Sequence, residues 1–325
     1  MKTDRTQAFA VTQDDDALLA RAAEQATGAA ALPVLIRQTL APATAIALRE
    51  DDLGLAGGFA ASLAEQLHEA LWPDQADIDV TQISERVVLQ CQATTRLCFA
   101  RAIEARLCHN APFIGMLSAE LPARVEAEVG DAQDEIAAAA MSVIVAQSRF
   151  LANAAAYRID LDELPPEILA GLVWRMVGWL QTTQGGDPVA LRNAAEPLLA
   201  RFDERLGRPN RMLRFCHLLE LPRAGDAWAM ADNGPSLLFA MLARTSGLGF
   251  DMLIDMARDA GLARLVIVLR ACDVPVDKIV QVLADLALLG ATPTEALPDS
   301  AAVANVTADD AARLVAGWRN AALLA

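Results

Sequence analysis

The sequence predicts an all-α protein built from many helices, and three observations support this fold class. Apolar residues recur every three or four positions along nearly the whole chain, whereas strict alternation over the length of a strand is almost absent. Alanine is very frequent and aromatic residues are only 5% of the chain, which favours close helix packing over strands. With 54% hydrophobic and 21% charged residues, the chain is too apolar for a disordered protein.

The first part of the chain predicts three helices, over residues 14–26, 33–40 and 59–72. Glycines between them mark loops, and Pro73 directly follows the third helix. These segments therefore open the chain as short helices joined by glycine-containing turns.

A long helix is predicted from Asp79 to Cys108. Asp79 can cap its start while Gln82, three positions later, reaches back to the cap, which is the arrangement of a capping box. Cys91 and Cys98 are seven positions apart on its apolar stripe, where a thiol behaves as a small hydrophobic group. We therefore expect both thiols to be buried in one helix and unbridged.

A further helix is predicted over residues 131–157, with acidic residues in its first turn that offset the helix dipole. The polar segment that follows it marks the predicted boundary between an N-terminal helical domain, residues 1–158, and a C-terminal helical domain, residues 159–325. Two domains fit the length of the chain at roughly 100 to 200 residues each.

Helices continue beyond this boundary. Pro165 and Pro166 suit the first turn of a helix, where no backbone donor is needed, and this helix should stop near Gly185. One helix is then predicted from Asp187 to about Gly207, and another from Pro209 to Leu219.

Residues 238–289 contain an internal repeat of two hairpin units. With an offset of 26, the matching pairs are Arg244 with Arg270, Leu248 with Val274, Phe250 with Val276, Asp251 with Asp277, Leu253 with Ile279, Ile254 with Val280 and Asp259 with Asp285. Each unit predicts a short helix, a turn with Gly or Pro, and a second helix, as in HEAT-like arrays. Ordinary amphipathic periodicity could also produce this match.

Short motifs in the second half occur in a characteristic order: DELPPEIL at 162–169, RAGD at 223–226, AMLA at 240–243, GL at 247–248, DAG at 259–261, LRA at 269–271 and VP at 274–275. In this order they resemble a bacterial family of all-helical proteins filed as domain of unknown function 2336. The resemblance implies a helical fold with repeat-like hairpins, no known catalytic residues, and a regulatory or scaffolding role in the cytoplasm.

The charge of the chain disfavours two classes of partner. The formal net charge is −15 and the pI is about 4.6, so the average field repels polyphosphate and anionic lipid. We therefore expect no nucleic-acid partner.

No uncharged stretch approaches the ~18 residues that span a bilayer, and no signal peptide is evident, so we expect no membrane insertion and a cytoplasmic location.

The sequence predicts no metal and no cofactor. His109 and His217 each follow a cysteine directly, but adjacent helical side chains point about 100° apart and rarely ligate one metal together. The acidic clusters lack the alternating oxygen ligands of a calcium loop. The chain also lacks a nucleophile elbow and a phosphate-binding loop with its lysine, which disfavours nucleophilic and nucleotide-dependent enzymes.

One basic segment contrasts with the acidic average. It contains five arginines against Asp203 and Glu204, a local net charge of +3, and its arginines are Arg201, Arg205, Arg208, Arg211 and Arg214. The spacing places the first three on one helix face, which predicts a docking patch for an acidic or phosphorylated protein. The alternative is a solvated face paired with neighbouring carboxylates.

His68, followed by Glu69 on a predicted helix, is a weaker candidate. This dipeptide is similar to the phosphoacceptor helix of two-component signalling, in which an exposed imidazole meets a receiver. A solvated helix residue is the alternative interpretation.

Three hypotheses about function follow. The first is a non-enzymatic, cytoplasmic helical module that binds another protein and acts in regulation or as a scaffold, with a homodimer left open. The second is a phosphotransfer module that uses His68. The third is an enzyme whose polar groups converge only in three dimensions.

Overall fold

The computed structural model describes residues 18–20, 22, 49–73, 79–116, 121–131, 133–219, 225–291 and 297–324. Helix is the only regular secondary structure in these residues, so the predicted all-α fold class is confirmed. The predicted helix 33–40 lies outside the described residues. The predicted helix 14–26 is described only at residues 18–20 and 22, which are helical.

Besides the helical residues 18–20 and 22, the described residues contain fourteen α-helices. They are α1 (Glu50–Leu71), α2 (Val80–Ile83), α3 (Gln92–His109), α4 (Ala123–Glu128), α5 (Asp134–Ala155), α6 (Pro166–Gln184), α7 (Pro188–Arg201), α8 (Arg208–Leu218), α9 (Met230–Ser246), α10 (Phe250–Met256), α11 (Ala263–Ala271), α12 (Val276–Leu288), α13 (Ser300–Asn305) and α14 (Ala308–Leu324). One π turn, Ser84–Val88, follows α2, and 3-10 turns lie at Ala111–Ile114, Leu161–Glu163, Glu204–Leu206, Gly225–Trp228 and Ala260–Leu262.

The chain groups into two compact units that do not follow chain order. Of the described residues, unit 1 contains those within Met1–Ala30, Arg106–Met141 and Met212–Ala325, and unit 2 contains those within Ala31–Ala105 and Ser142–Arg211. Such a grouping describes packing and not independent folding. The two-domain organisation with its boundary between residues 158 and 159 therefore stays a prediction.

Unit 2 is built around α1. This helix starts with three acidic residues, which suit the positive end of the helix dipole, and buries Phe59, Leu63 and Leu67 at intervals of four. The helices α2, α6 and α7 pack against α1, and α6 also packs against α7. The spacing of the apolar residues thus gives unit 2 its core.

The core of unit 1 is formed by α9 and α11. Every residue of α9 from Asn233 to Ala243 is buried, and so is every residue of α11 from Ala263 to Leu269. The helices α4 and α10 pack against α9, and α14 packs against α11. Two helices that are apolar on nearly all sides therefore occupy the centre of unit 1, as expected for helices without a solvent-facing side.

The prediction of one long helix from Asp79 to Cys108 is wrong in its middle, where the chain leaves the helical conformation before Gln92. Asp79 does cap α2 and accepts from the Thr81 backbone N–H at 2.9 Å. The chain then widens into the π turn, in which Leu89 N–H donates to Ser84 O at 2.9 Å, and α3 begins only at Gln92. The π turn ends at Val88, Leu89 and Gln90 form a turn, and Cys91 lies outside any helix, so the predicted helix is interrupted over these three residues.

The prediction for the cysteines is confirmed in one part and wrong in another. Both thiols are free, as predicted. Cys98 is buried in α3, and burial raises the pKa of its thiol to about 12. Cys91, however, lies in the break before α3 and is only half-buried. The two residues therefore do not share one buried helix.

Predicted helix ends agree best where a capping residue is present. Pro165 and Pro166 begin α6, and Gly185 ends it in the left-handed conformation. Asp187 caps α7 by accepting from Ala190 N–H at 3.1 Å. The predicted continuation to Gly207 is wrong, because α7 ends at Arg201 and extended backbone separates it from the next turn.

The two-unit repeat is not confirmed. The second helices of the proposed units, α10 and α12, have 7 and 13 residues, and the first helices, α9 and α11, have 17 and 9. Leu253 and Ile279, the proposed equivalent core positions, are both fully buried. Burial of matching apolar residues is also what amphipathic periodicity alone produces.

Among the described helices, α5 is long and apolar enough to cross a membrane, and 39% of its apolar window is buried. The core helix of a non-membrane protein has the same length and composition. The expected absence of membrane insertion stays a prediction.

Candidate functional site

The basic segment does not form one surface, because Arg208 lies inside unit 2. Its side chain is 1% exposed and donates to Glu104 through Nη1 at 2.5 Å and Nη2 at 2.8 Å. It also donates to Glu163 through Nε at 2.9 Å and Nη2 at 3.0 Å. The assignment of Arg208 to an exposed patch is therefore wrong, because it is buried and forms ion pairs with two buried carboxylates.

Further side chains complete this group, which we call the unit 2 ion cluster: Arg101, Glu104, Glu163 and Arg208. Arg101 donates to Glu163 at 2.9 Å and to Glu104 at 3.4 Å. The guanidinium of Arg208 also donates to Gln147 and stacks 3.8 Å from the centre of the Phe150 ring. The cluster holds two cations and two carboxylates and is neutral, which suits a buried site.

Local structure places Arg208 at the first position of α8. A Cβ on the preceding Gly207 would lie 2.6 Å from the backbone oxygen of Asp162, next to Glu163. Only glycine permits this close approach of two backbone segments. The approach brings Arg208 alongside the 3-10 turn that carries Glu163.

The electrostatics of the unit 2 ion cluster favour the ionised state of Arg208. Burial opposes its charged form, but Glu104 and Glu163 outweigh burial and raise the pKa of Arg208. Both carboxylates accept charge-assisted hydrogen bonds in a bidentate arrangement. The guanidinium of Arg208 and the two carboxylates donate to and accept from one another, so their charges are used inside the fold. This is the geometry of an ion pair that stabilises structure.

The other arginines of the basic segment have different environments. Arg201 is exposed and donates to the Pro197 backbone oxygen at 3.2 Å. Arg205 is 86% exposed and pairs with Asp203 at 3.1 Å. Both residues lie in unit 2.

The last two arginines of the segment, Arg211 and Arg214, differ in burial. Arg211 is half-buried and donates to the Leu206 backbone oxygen at 2.7 Å and to Ser142 Oγ at 2.9 Å. Arg214 belongs to unit 1, where it is exposed and pairs with Glu135 at 3.0 Å. The predicted common helix face of Arg201, Arg205 and Arg208 is wrong, because α7 ends at Arg201.

What remains of the patch is the exposed turn Arg201–Leu206, which we call the 201–206 turn. Asp203 accepts from Arg205 N–H at 3.0 Å, and this hydrogen bond and the Arg205 side chain lower the pKa of Asp203. Leu206 is 51% exposed next to Arg205. An exposed aliphatic residue thus follows an exposed arginine in this turn.

His68 does not present an open imidazole. The residue is half-buried on α1, and its Nε2 atom is enclosed without a hydrogen-bond partner in the described residues. Phosphoryl transfer to Nε2 requires that atom to reach a receiver. The interpretation of His68 as an exposed phosphoacceptor therefore does not fit its environment at Nε2.

A second buried cluster, the unit 1 ion cluster, consists of Asp255, Arg258, Asp259 and Arg264. Arg264 donates to Asp259 at 2.5 and 2.7 Å and to Asp255 at 3.3 Å. Arg258 pairs with Asp255 at 2.6 Å. Burial raises the pKa of Asp259, although Arg264 opposes that effect.

Sequence reasoning missed both clusters. A signal was present in α3, where Arg101 and Glu104 are charged residues three positions apart in an otherwise apolar stretch. Opposite charges at this spacing on a helix that is buried on most sides indicate internal pairing. No comparable signal identified Glu163 or Arg208, whose partners are remote in sequence.

In the part of the chain that the structure describes, no group of three or more His, Cys, Asp or Glu side chains is arranged to hold a metal ion. A surface depression on α14 is lined by Asp309, Ala312, Arg313 and Ala316, which all belong to that one helix. This depression is a gap between side chains of a single element.

No protein-family model, no curated protein and no solved structure matches the chain. The fold and the clusters define an all-α protein with two buried ion clusters. The resemblance to domain of unknown function 2336 stays a prediction.

Proposed function

We propose that the protein is a non-enzymatic helical interaction module of the bacterial cytoplasm, which binds another protein through the 201–206 turn in a regulatory or scaffolding role. The observation that carries this proposal is the exposure of two consecutive residues, Arg205 and Leu206, on one turn. Arginine is enriched at protein interfaces, and the exposed Leu206 adds apolar surface that a partner can bury.

The chemistry of the turn indicates the kind of partner. A guanidinium binds carboxylates or phosphate oxygens in a bidentate arrangement, and Leu206 requires an apolar contact. An acidic amphipathic segment, or one with a phosphorylated residue beside an apolar side chain, meets both requirements. Such a partner would replace Asp203 as the counter-ion of Arg205.

Two further observations support parts of the proposal. The buried Arg208, two residues beyond Leu206, anchors the turn to the interior of unit 2, so that the turn can bind with little loss of backbone entropy. All five cysteines are unbridged, and four of them are buried, which is compatible with a reducing compartment.

Protein capture with matched variants tests the proposal. The test variant is Arg205→Gln/Leu206→Ser, and the control is Arg192→Gln/Val189→Ser, which also removes one exposed arginine and one exposed aliphatic side chain. We expect the wild-type protein and the control to retain the same identified partner from the native cell, and the test variant to lose it. Added salt should weaken wild-type capture.

Equal retention of that partner by both variants would show that the 201–206 turn is not the binding surface. Circular dichroism and thermal unfolding of both variants check that neither substitution disturbs the fold, as expected for exposed side chains.

A further inference from the structure

The outward face of α6 carries few charges and one large exposed aromatic residue. In this helix of 19 residues the charged side chains are Glu167 and Arg175. Its inward face buries a full set of apolar residues: Leu169, Leu172, Val173, Met176, Val177 and Leu180. On the other face, Trp174 is 43% exposed. A large aromatic ring in solvent forgoes burial that an interface would provide.

Two glycines flank Trp174 on this outward face. Gly171 is three positions before it and Gly178 four positions after it, so all three lie on the same side of the helix. A Cβ added at either glycine would meet no atom within 4 Å. The tryptophan therefore projects between two open gaps that allow a neighbouring backbone to approach closely.

The arrangement of these residues is symmetric about a point between positions 174 and 175. Gly171 and Gly178 are equally distant from this point, and Trp174 and Arg175 lie on either side of it. A two-fold axis through this point, perpendicular to the helix, would place Gly171 opposite Gly178 of a second copy. It would also place Trp174 opposite Arg175 of the second copy, and both contacts would occur twice, as in an isologous interface.

We propose that a second copy of this chain covers the outward face of α6 through an antiparallel contact between the two α6 helices. Charge complementarity supports this occupant. Within the described residues Arg175 has no ion-pair partner, and the negative face of an indole ring attracts a guanidinium. The dimer supplies each arginine with the tryptophan of the other copy.

The size of the surface predicts the strength of the dimer. A helix of 19 residues extends ~28 Å at 1.5 Å per residue, and a stable interface typically buries about 800 Å² on each partner. One helix pair therefore gives a small interface, and we expect a weak dimer that depends on protein concentration. This surface is separate from the 201–206 turn, and the two proposals are tested by different substitutions.

Sedimentation equilibrium of the full chain over a range of concentrations tests the dimer. The wild-type protein should pass from the 34.6 kDa monomer towards twice that mass as its concentration rises. Trp174→Arg should keep the protein monomeric, because it places like charges at positions 174 and 175 of opposing copies. Trp174→Arg/Arg175→Glu should restore the dimer through two reciprocal ion pairs.

Two more variants separate the α6 contact from damage to the fold and from contacts through another surface. Gly178→Leu places a bulky side chain at a position where a Cβ meets no atom within 4 Å in the monomer, so it should also prevent dimerisation while leaving the helical circular dichroism unchanged. Arg192→Glu on α7 alters an exposed arginine outside the proposed contact and should dimerise like the wild type.

A wild-type protein that stays monomeric at every concentration would overturn the proposal. A dimer that persists in both Trp174→Arg and Gly178→Leu would overturn it as well, because a different surface would then be responsible. Failure of the double variant to restore the dimer would contradict the antiparallel pairing of positions 174 and 175.

Discussion

The two buried ion clusters use the same chemistry over very different distances along the chain. In the unit 2 ion cluster, Arg208 pairs with residues 45 and 104 positions away, and Arg101 pairs with a residue 62 positions away. In the unit 1 ion cluster the paired residues are 3, 5 and 9 positions apart. The first cluster joins remote segments of unit 2, whereas the second connects the end of α10 with the start of α11.

The clusters also differ in how completely water is excluded. The charged side chains of the unit 2 ion cluster are at most 6% exposed, whereas Arg258 in the unit 1 ion cluster is 24% exposed. A buried charge that loses its partner has no solvent to replace it. We therefore expect substitutions in the unit 2 ion cluster to cost more stability than substitutions in the unit 1 ion cluster.

The largest effect is expected for Glu104→Gln in the unit 2 ion cluster. The substitution keeps the shape of the side chain but leaves Arg101 and Arg208 with one of the two cluster carboxylates, Glu163. It also turns an amide N–H₂ towards guanidinium donors. We expect the free energy of unfolding to fall by about 3–5 kcal/mol, as measured by urea denaturation.

The control for this prediction is Glu196→Gln, which removes an exposed carboxylate from α7. It should leave the denaturation midpoint unchanged. If Glu104→Gln behaved like the control, the pairing of Glu104 with two arginines would contribute nothing to stability and the comparison between clusters would fail.

A smaller effect is expected for Arg264→Gln in the unit 1 ion cluster. This substitution removes the charge-assisted hydrogen bonds to Asp259, while Arg258 remains beside Asp255. We expect a loss of about 2–3 kcal/mol in urea denaturation. Arg258→Gln, at the partly exposed position, should cost about 1 kcal/mol or less. A larger loss for Arg258→Gln than for Arg264→Gln would contradict the described order of burial.

The smallest effect concerns Asp285, a buried carboxyl whose described partner is the neutral amide of Gln281 at 2.8 Å. Burial raises the pKa of Asp285 above its ordinary value of 3.8. The folded state then holds this proton more tightly than the unfolded chain does. The stability that this group contributes is complete below pH 3.8 and is lost as the pH rises through the raised pKa.

Asp285→Asn removes this ionisation and keeps an acceptor for Gln281. Thermal unfolding at several pH values should therefore show that the stability of the variant relative to the wild type increases with pH across that window. A relative stability that decreased with pH would mean that the Asp285 carboxylate is favoured in the folded state, against the direction given by its burial.

Local chemistry explains which parts of the fold could be predicted from the sequence. Asp79, Pro166 and Asp187 each begin a helix through a hydrogen bond or a fixed φ angle within their own turn, so neighbouring residues suffice to predict them. The break before α3 could not be predicted, because the apolar period continues through it. The hydrogen bonds there, from Leu89 N–H to Ser84 O and from Cys91 N–H to Val88 O, depart from the α-helical pattern, and side-chain spacing does not record this.

In the candidate site, too, features set by neighbouring residues could be predicted from the sequence, whereas features set by remote residues could not. The exposure of Arg205 agrees with its position next to Asp203 in a polar stretch, which the sequence contains. The burial of Arg208 depends on Glu104 and Glu163, which only the tertiary fold brings together. Equal spacing of arginines therefore gave no means to distinguish a surface residue from an internal one.

The measurement that tests this account most directly compares Arg208→Gln with Arg205→Gln by urea denaturation. The two substitutions are chemically identical and three positions apart. We predict that Arg208→Gln lowers the free energy of unfolding by about 3–5 kcal/mol and that Arg205→Gln leaves the midpoint unchanged. Equal midpoints for the two variants would contradict the account, because Arg208 would then be as dispensable to the fold as an exposed arginine.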